Sequence, residues 1–140
     1  LVTGVQTCAL PIWDYDYGKP FLCSTITKIL DSLQPDYIQG LSILGGEPFA
    51  LENQKAVLHL VKAVRQTLPR KDIWCWTGFS FEYLTHTELL QQIDILIDGR
   101  FIDEEKSIGL QWRGSRNQRV IRVQERLRIG KIVLFPTDDR

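Results

Sequence analysis

The sequence predicts an α/β fold in which a parallel β-sheet is covered by helices. Three apolar runs have the length of buried strands and occupy residues 41–44, 72–77 and 93–97. A segment with apolar residues at helical spacing, residues 52–68, separates the first two runs. A strand, a helix and a strand in this order are typical of a βαβ unit, so we expect the two strands to be parallel with a right-handed crossover.

The segments around the predicted strands favour helices. The first helix precedes residue 41, and Ser24 or Thr25 is expected to cap it. Its apolar residues follow the i, i+3, i+4, i+7 spacing: Ile26, Ile29, Leu30 and Leu33. The second helix is expected to bury one stripe of side chains: Ala56, Val57, Leu60, Val61, Val64 and Leu68. A short third helix is predicted over residues 81–92.

The carboxyl-terminal part of the chain has a less regular pattern. Val120, Val123 and Leu127 fit an amphipathic helix and a strand equally, so both remain open for this segment. Residues 131–135 are predicted to form a final strand, which Pro136 ends. We expect the last four residues to fray.

The composition excludes several classes of function. The chain has 140 residues, of which 44% are hydrophobic, and this predicts a single globular domain. The formal net charge is zero, so no general attraction to nucleic acid or to an acidic membrane is expected. The apolar runs are too short to cross a bilayer. The odd number of cysteines without a secretion signal favours a reducing compartment, and we expect the protein in the cytoplasm.

The first twelve residues differ from the rest of the chain. Residues 2–12 resemble the translation of a widely used sequencing adapter, and neither a helical nor a strand period governs them. We therefore expect residues 1–12 to be a non-native artefact and residues 13–140 to form a single domain. A genuine strand or loop is the alternative. The chain contains no methionine, and we expect the native beginning to be missing.

The predicted strand at residues 41–44 ends abruptly in a turn that is the strongest candidate for a binding site. The turn consists of Gly45, Gly46, Glu47 and Pro48. Two glycines allow a ligand to approach the main chain closely, and the proline stops the strand. Because the carboxyl ends of parallel strands meet at one edge of a sheet, Glu47, Thr77 and Asp98 are expected to border one site. Ordinary turn chemistry is the alternative for Thr77 and Asp98.

Basic residues crowd the carboxyl-terminal part of the chain. They are Arg113, Arg116, Arg119, Arg122, Arg126, Arg128 and Lys131. Such a cluster fits phosphate groups or an acidic partner surface, because a guanidinium group binds either of them through two parallel hydrogen bonds. A solvated charged face is the alternative.

Four stretches of the chain together carry a resemblance to a known family. They read LSILGGEPF at 41–49, KDIWCWTGF at 71–79, DILIDGRF at 94–101 and LQWRGSRNQRVI at 110–121. With Trp13, Gly18 and Phe21, they resemble the activating proteins of anaerobic ribonucleoside-triphosphate reductases, which are small radical S-adenosylmethionine (radical SAM) enzymes. The resemblance covers residues 13–135. It implies a radical-SAM-type (β/α) barrel, a parallel sheet with outer helices, which is incomplete here because the first strand and the cluster loop are missing.

The resemblance also implies an activity. In an intact member, three cysteines with the spacing C-x3-C-x2-C hold a 4Fe-4S cluster that binds and reduces S-adenosylmethionine. The resulting 5′-deoxyadenosyl radical takes a hydrogen atom from a glycine of the large reductase subunit, which is the implied partner. Gly45, Gly46 and Glu47 match the family element that binds the methionyl amino group. The predicted cofactor-binding residues are Gly45, Gly46, Glu47, Pro48, Thr77 and Asp98, and no catalytic or metal-binding residue is predicted in this chain.

The chain departs from the family at the cluster cysteines. They are expected near the beginning of the chain, where Cys8 is present but Ile12 and Tyr15 occupy the positions four and seven residues after it. Cys23 and Cys75 match no cluster cysteine and are predicted to be buried packing thiols. We therefore expect a truncated activating protein that binds no cluster and is inactive as written.

Two other functions remain open. One is the activation of a different glycyl-radical enzyme, although residues 113–119 argue against it. The other is a non-catalytic nucleotide- or partner-binding module that uses the arginine-rich part. The DNA upstream of Trp13 discriminates between the reductase-activating protein and the binding module, since an in-frame C-x3-C-x2-C supports the former and a nearby start codon supports the latter.

Overall fold

A computed structural model describes residues 21–140 as an α/β domain with a four-stranded mixed sheet. The strands are β1 (Gly40–Ile43), β2 (Asp72–Trp76), β3 (Ile95–Asp98) and β4 (Arg119–Arg122), and they lie side by side in chain order. The helices are α1 (Cys23–Leu33), α2 (Leu51–Thr67), α3 (Phe81–Leu84), α4 (Glu88–Gln91) and α5 (Val123–Ile129), and Asp103–Glu105 form a 3-10 turn. The segment predicted to be non-native, residues 1–12, lies outside the described residues.

The first three strands confirm the predicted βαβ arrangement. β1 is parallel to β2, with Leu41 opposite Ile73, and β2 is parallel to β3, with Cys75 opposite Leu96. β4 is antiparallel to β3, so the sheet is mixed rather than fully parallel. The connection from β3 to β4 contains no α-helix that could carry the chain back to the other end of the sheet, which a parallel strand would require. Among residues 21–140 the sheet is open, with β1 and β4 at its edges.

One face of the sheet packs against the helices and forms the main core. Alternate residues of β1 and β2, among them Ile43 and Ile73, point into this core, as expected for strands with one face towards the helices. The predicted stripe of α2 meets them, and its fully buried members are Val57, Leu60, Val61 and Val64. α1 contributes Ile26 and Leu33 from the predicted helical pattern. None of the described helices is long and apolar enough to span a membrane.

The opposite face of the sheet carries aromatic side chains. The Trp74 ring lies 6.1 Å from the Trp76 ring, 5.2 Å from the Trp112 ring and 5.3 Å from the Phe135 ring, measured between centroids. The indole N–H of Trp76 donates to the main-chain oxygen of Trp112 (2.8 Å). Beside this cluster the face borders an open cavity of about 740 Å³. The sheet therefore has one dry, helix-covered face and one accessible aromatic face.

The helix boundaries differ from the prediction in two places. The predicted helix over residues 81–92 is two short helices, because the Thr87 hydroxyl accepts from the Leu90 N–H (3.4 Å) and begins α4 as a separate element. α1 begins at Cys23, one residue before the predicted caps, and no side-chain oxygen caps it from the N-cap position, Leu22. Thr25 instead lies within the first turn and accepts from the Leu22 N–H (3.3 Å).

The carboxyl-terminal part of the chain differs from the prediction in several places. The segment that fitted helix and strand equally contains both, since β4 passes directly into α5, which ends at the left-handed Gly130 (φ 77°). The predicted final strand is reduced to a single bridge between Leu134 and Ile121. The prediction of a fraying end is wrong, because the Arg140 N–H donates to the Gly109 oxygen (2.9 Å) and Asp139 accepts from the Gln111 N–H (3.0 Å).

Candidate functional site

The turn after β1 has the backbone that the two glycines predict. Gly45 (φ 78°) and Gly46 (φ 46°) both adopt left-handed backbone conformations, which residues with a Cβ atom rarely adopt. A Cβ atom placed on Gly46 would lie 3.7 Å from the Asn53 amide nitrogen and would meet no closer neighbour. Pro48 follows as a buried residue and starts the connection to α2. The turn is therefore tight, and its main chain at Gly46 is open to a ligand.

The Glu47 carboxylate joins the ends of β1 and β2. Its Oε1 accepts from the Thr77 hydroxyl (2.7 Å) and from the Phe49 N–H (3.0 Å). Its Oε2 accepts from the Gly78 N–H (2.8 Å). Two of the three residues predicted to border this edge, Glu47 and Thr77, are thus in direct contact.

The helix that follows the turn holds the main chain of Glu47. The Asn53 amide donates to the Glu47 main-chain oxygen (2.9 Å), and the Ala50 N–H donates to the same oxygen (3.0 Å). Sequence reasoning missed Asn53, although an asparagine in the first turn of a helix commonly bonds nearby main chain. Because both the side chain and the main chain of Glu47 are bonded, the turn is fixed relative to α2 and β2.

Asp98 lies at the same edge of the sheet but belongs to a different network. It is 2% exposed and accepts from the Phe81 N–H (2.7 Å) and from Arg119 Nε (3.0 Å). The Arg119 guanidinium also binds both carboxylate oxygens of Glu82 (3.0 and 2.9 Å). Its hydrogen bond lowers the pKa of Glu82, while Asp98 and then Glu82 raise the pKa of Arg119. The structure therefore brings Glu47 and Thr77 together, with Asp98 held one strand further along.

Asp98 borders a second cavity of about 490 Å³. Its lining residues are Ser80, Glu82, Asp98, Gly99, Arg100, Asn117 and Arg119. Sequence reasoning placed Arg119 in a general basic cluster and did not pair it with Asp98. The two residues are opposite each other in the antiparallel pairing of β3 and β4, which the alternation pattern of the sequence does not reveal.

Residues 113–119, which read Arg-Gly-Ser-Arg-Asn-Gln-Arg, bond the loop that follows β3, and we call this segment the clasp. Ser115 is fully buried and accepts from the Ile102 N–H (3.1 Å). The Asn117 amide donates to the Arg100 oxygen (2.8 Å), and the Gln118 amide donates to the Gly99 oxygen (3.0 Å). This stretch therefore stabilises the loop that follows Asp98.

Several residues of the basic cluster are bonded within the domain. Arg113 pairs with Asp139, Arg122 pairs with Glu125, and the Arg126 guanidinium lies 4.9 Å from the centre of the Phe81 ring. The exposed members are Arg116, Arg128 and Lys131. Much of the cluster thus has a structural use that neither sequence interpretation included.

Residues 21–140 do not offer ligands for an iron–sulfur cluster. Within this range no group of three His, Cys, Asp or Glu side chains is placed to hold a metal ion. Cys75 is buried as predicted, and burial raises the pKa of its thiol well above the usual value, with a smaller contribution from the charge of Glu47. Cys23 is exposed, so its predicted burial is wrong: it begins α1 on the outer surface.

Comparison with known proteins assigns the chain to a family. A family described as a 4Fe-4S single cluster domain matches residues 6–121. A relative from Enterobacteria phage T4 is 38% identical over 77% of this chain and 69% of its own length. Relatives from Vibrio cholerae serotype O1 and Escherichia coli K12 are 42% and 37% identical, each over 76% of this chain and 71% of their own length. All three are named anaerobic ribonucleoside-triphosphate reductase-activating protein.

The chain belongs to the family of anaerobic ribonucleoside-triphosphate reductase-activating proteins. The range that matches the iron–sulfur family contains the glycine turn, Thr77 and Asp98, and it also contains Cys8. No solved structure matches this activating-protein chain.

Proposed function

We propose that this chain comes from a radical SAM enzyme that activates an anaerobic ribonucleoside-triphosphate reductase, and that its open sheet is part of a radical-SAM-type barrel. The observation that carries the proposal is the Gly45–Glu47 turn in a chain of this family: two left-handed glycines leave the main chain open beside a fixed carboxylate. The proposed partner is the large subunit of the reductase, and the proposed location is the cytoplasm.

The turn suits the methionyl part of S-adenosylmethionine. The main-chain carbonyl groups of Gly45 and Gly46 can accept hydrogen bonds from an ammonium group, and the Glu47 carboxylate supplies the opposite charge. A carboxylate has about four acceptor positions, and the three bonds that Glu47 accepts within residues 21–140 leave one on Oε2. When bound, S-adenosylmethionine with a reduced iron–sulfur cluster supplies the one-electron chemistry that removes a hydrogen atom from a glycine.

Pro48 and Asp98 have supporting places in this proposal. Pro48 is buried directly after Glu47 and prevents the backbone from continuing as strand or helix between the turn and α2. Asp98 holds the start of α3 through the Phe81 N–H and thereby shapes the rim of the site. The cluster does not fit residues 21–140, so we assign it no ligand and no step there.

The test compares the unaltered 140-residue chain with a substituted chain, in which the corresponding segment of the phage T4 relative replaces residues 1–12. Both are incubated with iron and sulfide without oxygen, and iron content is measured. Each is then mixed with the phage reductase, S-adenosylmethionine and a reductant, and the glycyl radical is measured by electron paramagnetic resonance.

We expect a four-iron cluster and a radical signal from the substituted chain and neither from the unaltered chain. Omission of S-adenosylmethionine is the control and should abolish the signal. A folded substituted chain that takes up the cluster but yields no radical contradicts the proposed function. A full cluster on the unaltered chain contradicts the prediction that its cluster ligands are missing.

A further inference from the structure

We propose that Thr77 is a positioning residue that fixes the orientation of the Glu47 carboxylate and does not itself contact a ligand. The hydrogen bonds are properties of the described structure, whereas the effect on S-adenosylmethionine rests on the proposed function. The inference gives Thr77 a different role from the cofactor contact that its place at the end of β2 predicts.

The direction of the Thr77 hydroxyl proton follows from its partners. Thr77 Oγ1 accepts from the Phe79 N–H (3.1 Å), which cannot act as an acceptor. The hydroxyl proton therefore points to Glu47 Oε1, 2.7 Å away. Thr77 is 5% exposed, so water has little access to either bond. The only proton of the hydroxyl and one of its two acceptor positions are used within the chain, and the burial of Thr77 leaves the other acceptor position little access to a ligand.

The same geometry makes the Glu47 carboxylate depend on Thr77. Oε1 receives one donor from its own turn, the Phe49 N–H, and one from the next strand, the Thr77 hydroxyl. Together with the Gly78 N–H on Oε2, these donors hold the carboxylate plane in one orientation. Loss of the hydroxyl leaves Oε1 with a single donor, so the carboxylate is held less firmly about its terminal bond, which has only a broad rotational preference.

A fixed carboxylate binds an ammonium group better than a rotating one. The remaining acceptor position on Oε2 keeps a constant direction while Thr77 and Gly78 hold the carboxylate. The entropy of ordering the carboxylate is therefore lost on folding and does not weaken the binding of the ligand. The side chain of Thr77 is suited to this task because a β-branched residue has a restricted χ1 angle. Thr77 thus acts on the ligand through Glu47.

The experiment uses Thr77→Val, which has nearly the same shape without the hydroxyl, and Thr77→Ser, which retains it. Thr87→Val is the matched control, because the Thr87 hydroxyl also accepts from a main-chain N–H and donates to another group, the Leu84 oxygen, yet does not bond Glu47. Amide exchange at Phe49 is measured by nuclear magnetic resonance on the 140-residue chain. This amide bonds Glu47 and not Thr77, so it reports the carboxylate rather than a local defect at Thr77.

The affinity for S-adenosylmethionine is measured by calorimetry on the substituted chain and its variants. For Thr77→Val we expect about tenfold faster exchange at Phe49 and about tenfold weaker affinity, the size expected when one hydrogen bond to a charged group is lost. Thr77→Ser and Thr87→Val should remain within about twofold of the parent on both measurements. Circular dichroism confirms that each variant is folded.

The outcomes separate this inference from the function on which it rests. A folded Thr77→Val with parental exchange at Phe49 and parental affinity overturns the positioning role. Weaker affinity with unchanged exchange at Phe49 also overturns it, since Thr77 would then act on the ligand directly. A parent that binds no S-adenosylmethionine overturns the proposed function, and the exchange data then decide the positioning of Glu47 alone.

Discussion

At the scale of single residues, Gly46 in the turn and Gly40 in β1 are glycines for two different reasons. Gly46 is needed for its left-handed backbone, while the space around it is open. Gly40 is needed for space, since a Cβ there would lie 2.0 Å from the Asp72 main-chain oxygen in the neighbouring strand. The first kind of glycine is expected beside a ligand, and the second kind is expected where two strands approach closely.

The turn yields a prediction about cofactor binding by the substituted chain. Gly46→Val should weaken binding of S-adenosylmethionine, because a branched side chain would fill the open space and disfavour the left-handed backbone. Glu47→Ala should cost about 1.5–3 kcal/mol of binding free energy through loss of a charge-assisted acceptor. Calorimetry provides the measurement.

The control for these variants is Arg128→Ala. Arg128 is exposed, whereas Arg126, which the sequence places on the same charged face, packs over the Phe81 ring and would be a poor control. If Gly46→Val and Glu47→Ala remain folded and bind like the parent, the turn has no part in binding the cofactor.

Burial leads to a second prediction, on cysteine reactivity. The Cys75 thiol is fully buried with a raised pKa, and alkylation requires the thiolate. Iodoacetamide at neutral pH should therefore label the exposed Cys23 and spare Cys75 until urea unfolds the protein, as measured by peptide mass spectrometry. Equal labelling of both cysteines in the folded protein would contradict the burial of β2.

At the scale of elements, Arg119 couples β4 to β3 and α3 through Asp98 and Glu82. The strands and long helices were predictable because alternation and helical spacing depend on local sequence. The direction of β4 was not, since it depends on where the chain runs between β3 and β4. For the same reason the contact of Glu47 with Thr77 could be predicted from strand ends, whereas the pairing of Asp98 with Arg119 could not.

This coupling predicts a pH dependence of stability. The hydrogen bond from Arg119 lowers the pKa of Glu82 in the folded protein, so the stabilisation is complete above the unfolded pKa of about 4.3 and is lost as pH falls through the lower folded value. The free energy of unfolding of Glu82→Gln should therefore be below that of the parent at pH 7, and the difference should shrink below about pH 4.

Urea unfolding at a series of pH values measures this difference. Glu104→Gln provides the control, because Glu104 is an exposed glutamate without an ion pair to any of residues 21–140. Its difference from the parent should be small at every pH. A Glu82→Gln difference that stays constant down to pH 3 would show that the ion pair does not contribute to stability.

At the scale of the whole molecule, the loop after β3 and the end of the chain support each other. Asp139 binds the Gln111 N–H and the Arg113 guanidinium, and the Asp138 N–H donates to the Gln111 side-chain oxygen (2.8 Å). The main-chain hydrogen bond of Gln111, followed by Arg113, lowers the pKa of Asp139. The clasp, residues 113–119, is thus held at one end by the pair of Arg113 with Asp139 and at the other by the pair of Arg119 with Asp98.

We expect Asp139→Ala to loosen this loop without unfolding the sheet. Hydrogen–deuterium exchange should become faster at residues 107–114 and remain unchanged in β2 and β3. Asp138→Ala is the matched control, because its carboxylate is 81% exposed and lies 3.9 Å from Arg140. Equal effects of the two substitutions would assign the loop's stability to the backbone alone.

The aromatic face of the sheet also gives the protein a built-in optical reporter. Three of its four tryptophans, Trp74, Trp76 and Trp112, lie in one cluster, and Trp112 is 47% exposed. Ultraviolet emission from the chain therefore comes largely from one surface, next to the larger cavity. Any molecule or chain segment that binds to this surface should change the wavelength and intensity of that emission, so its binding can be followed without attaching a dye.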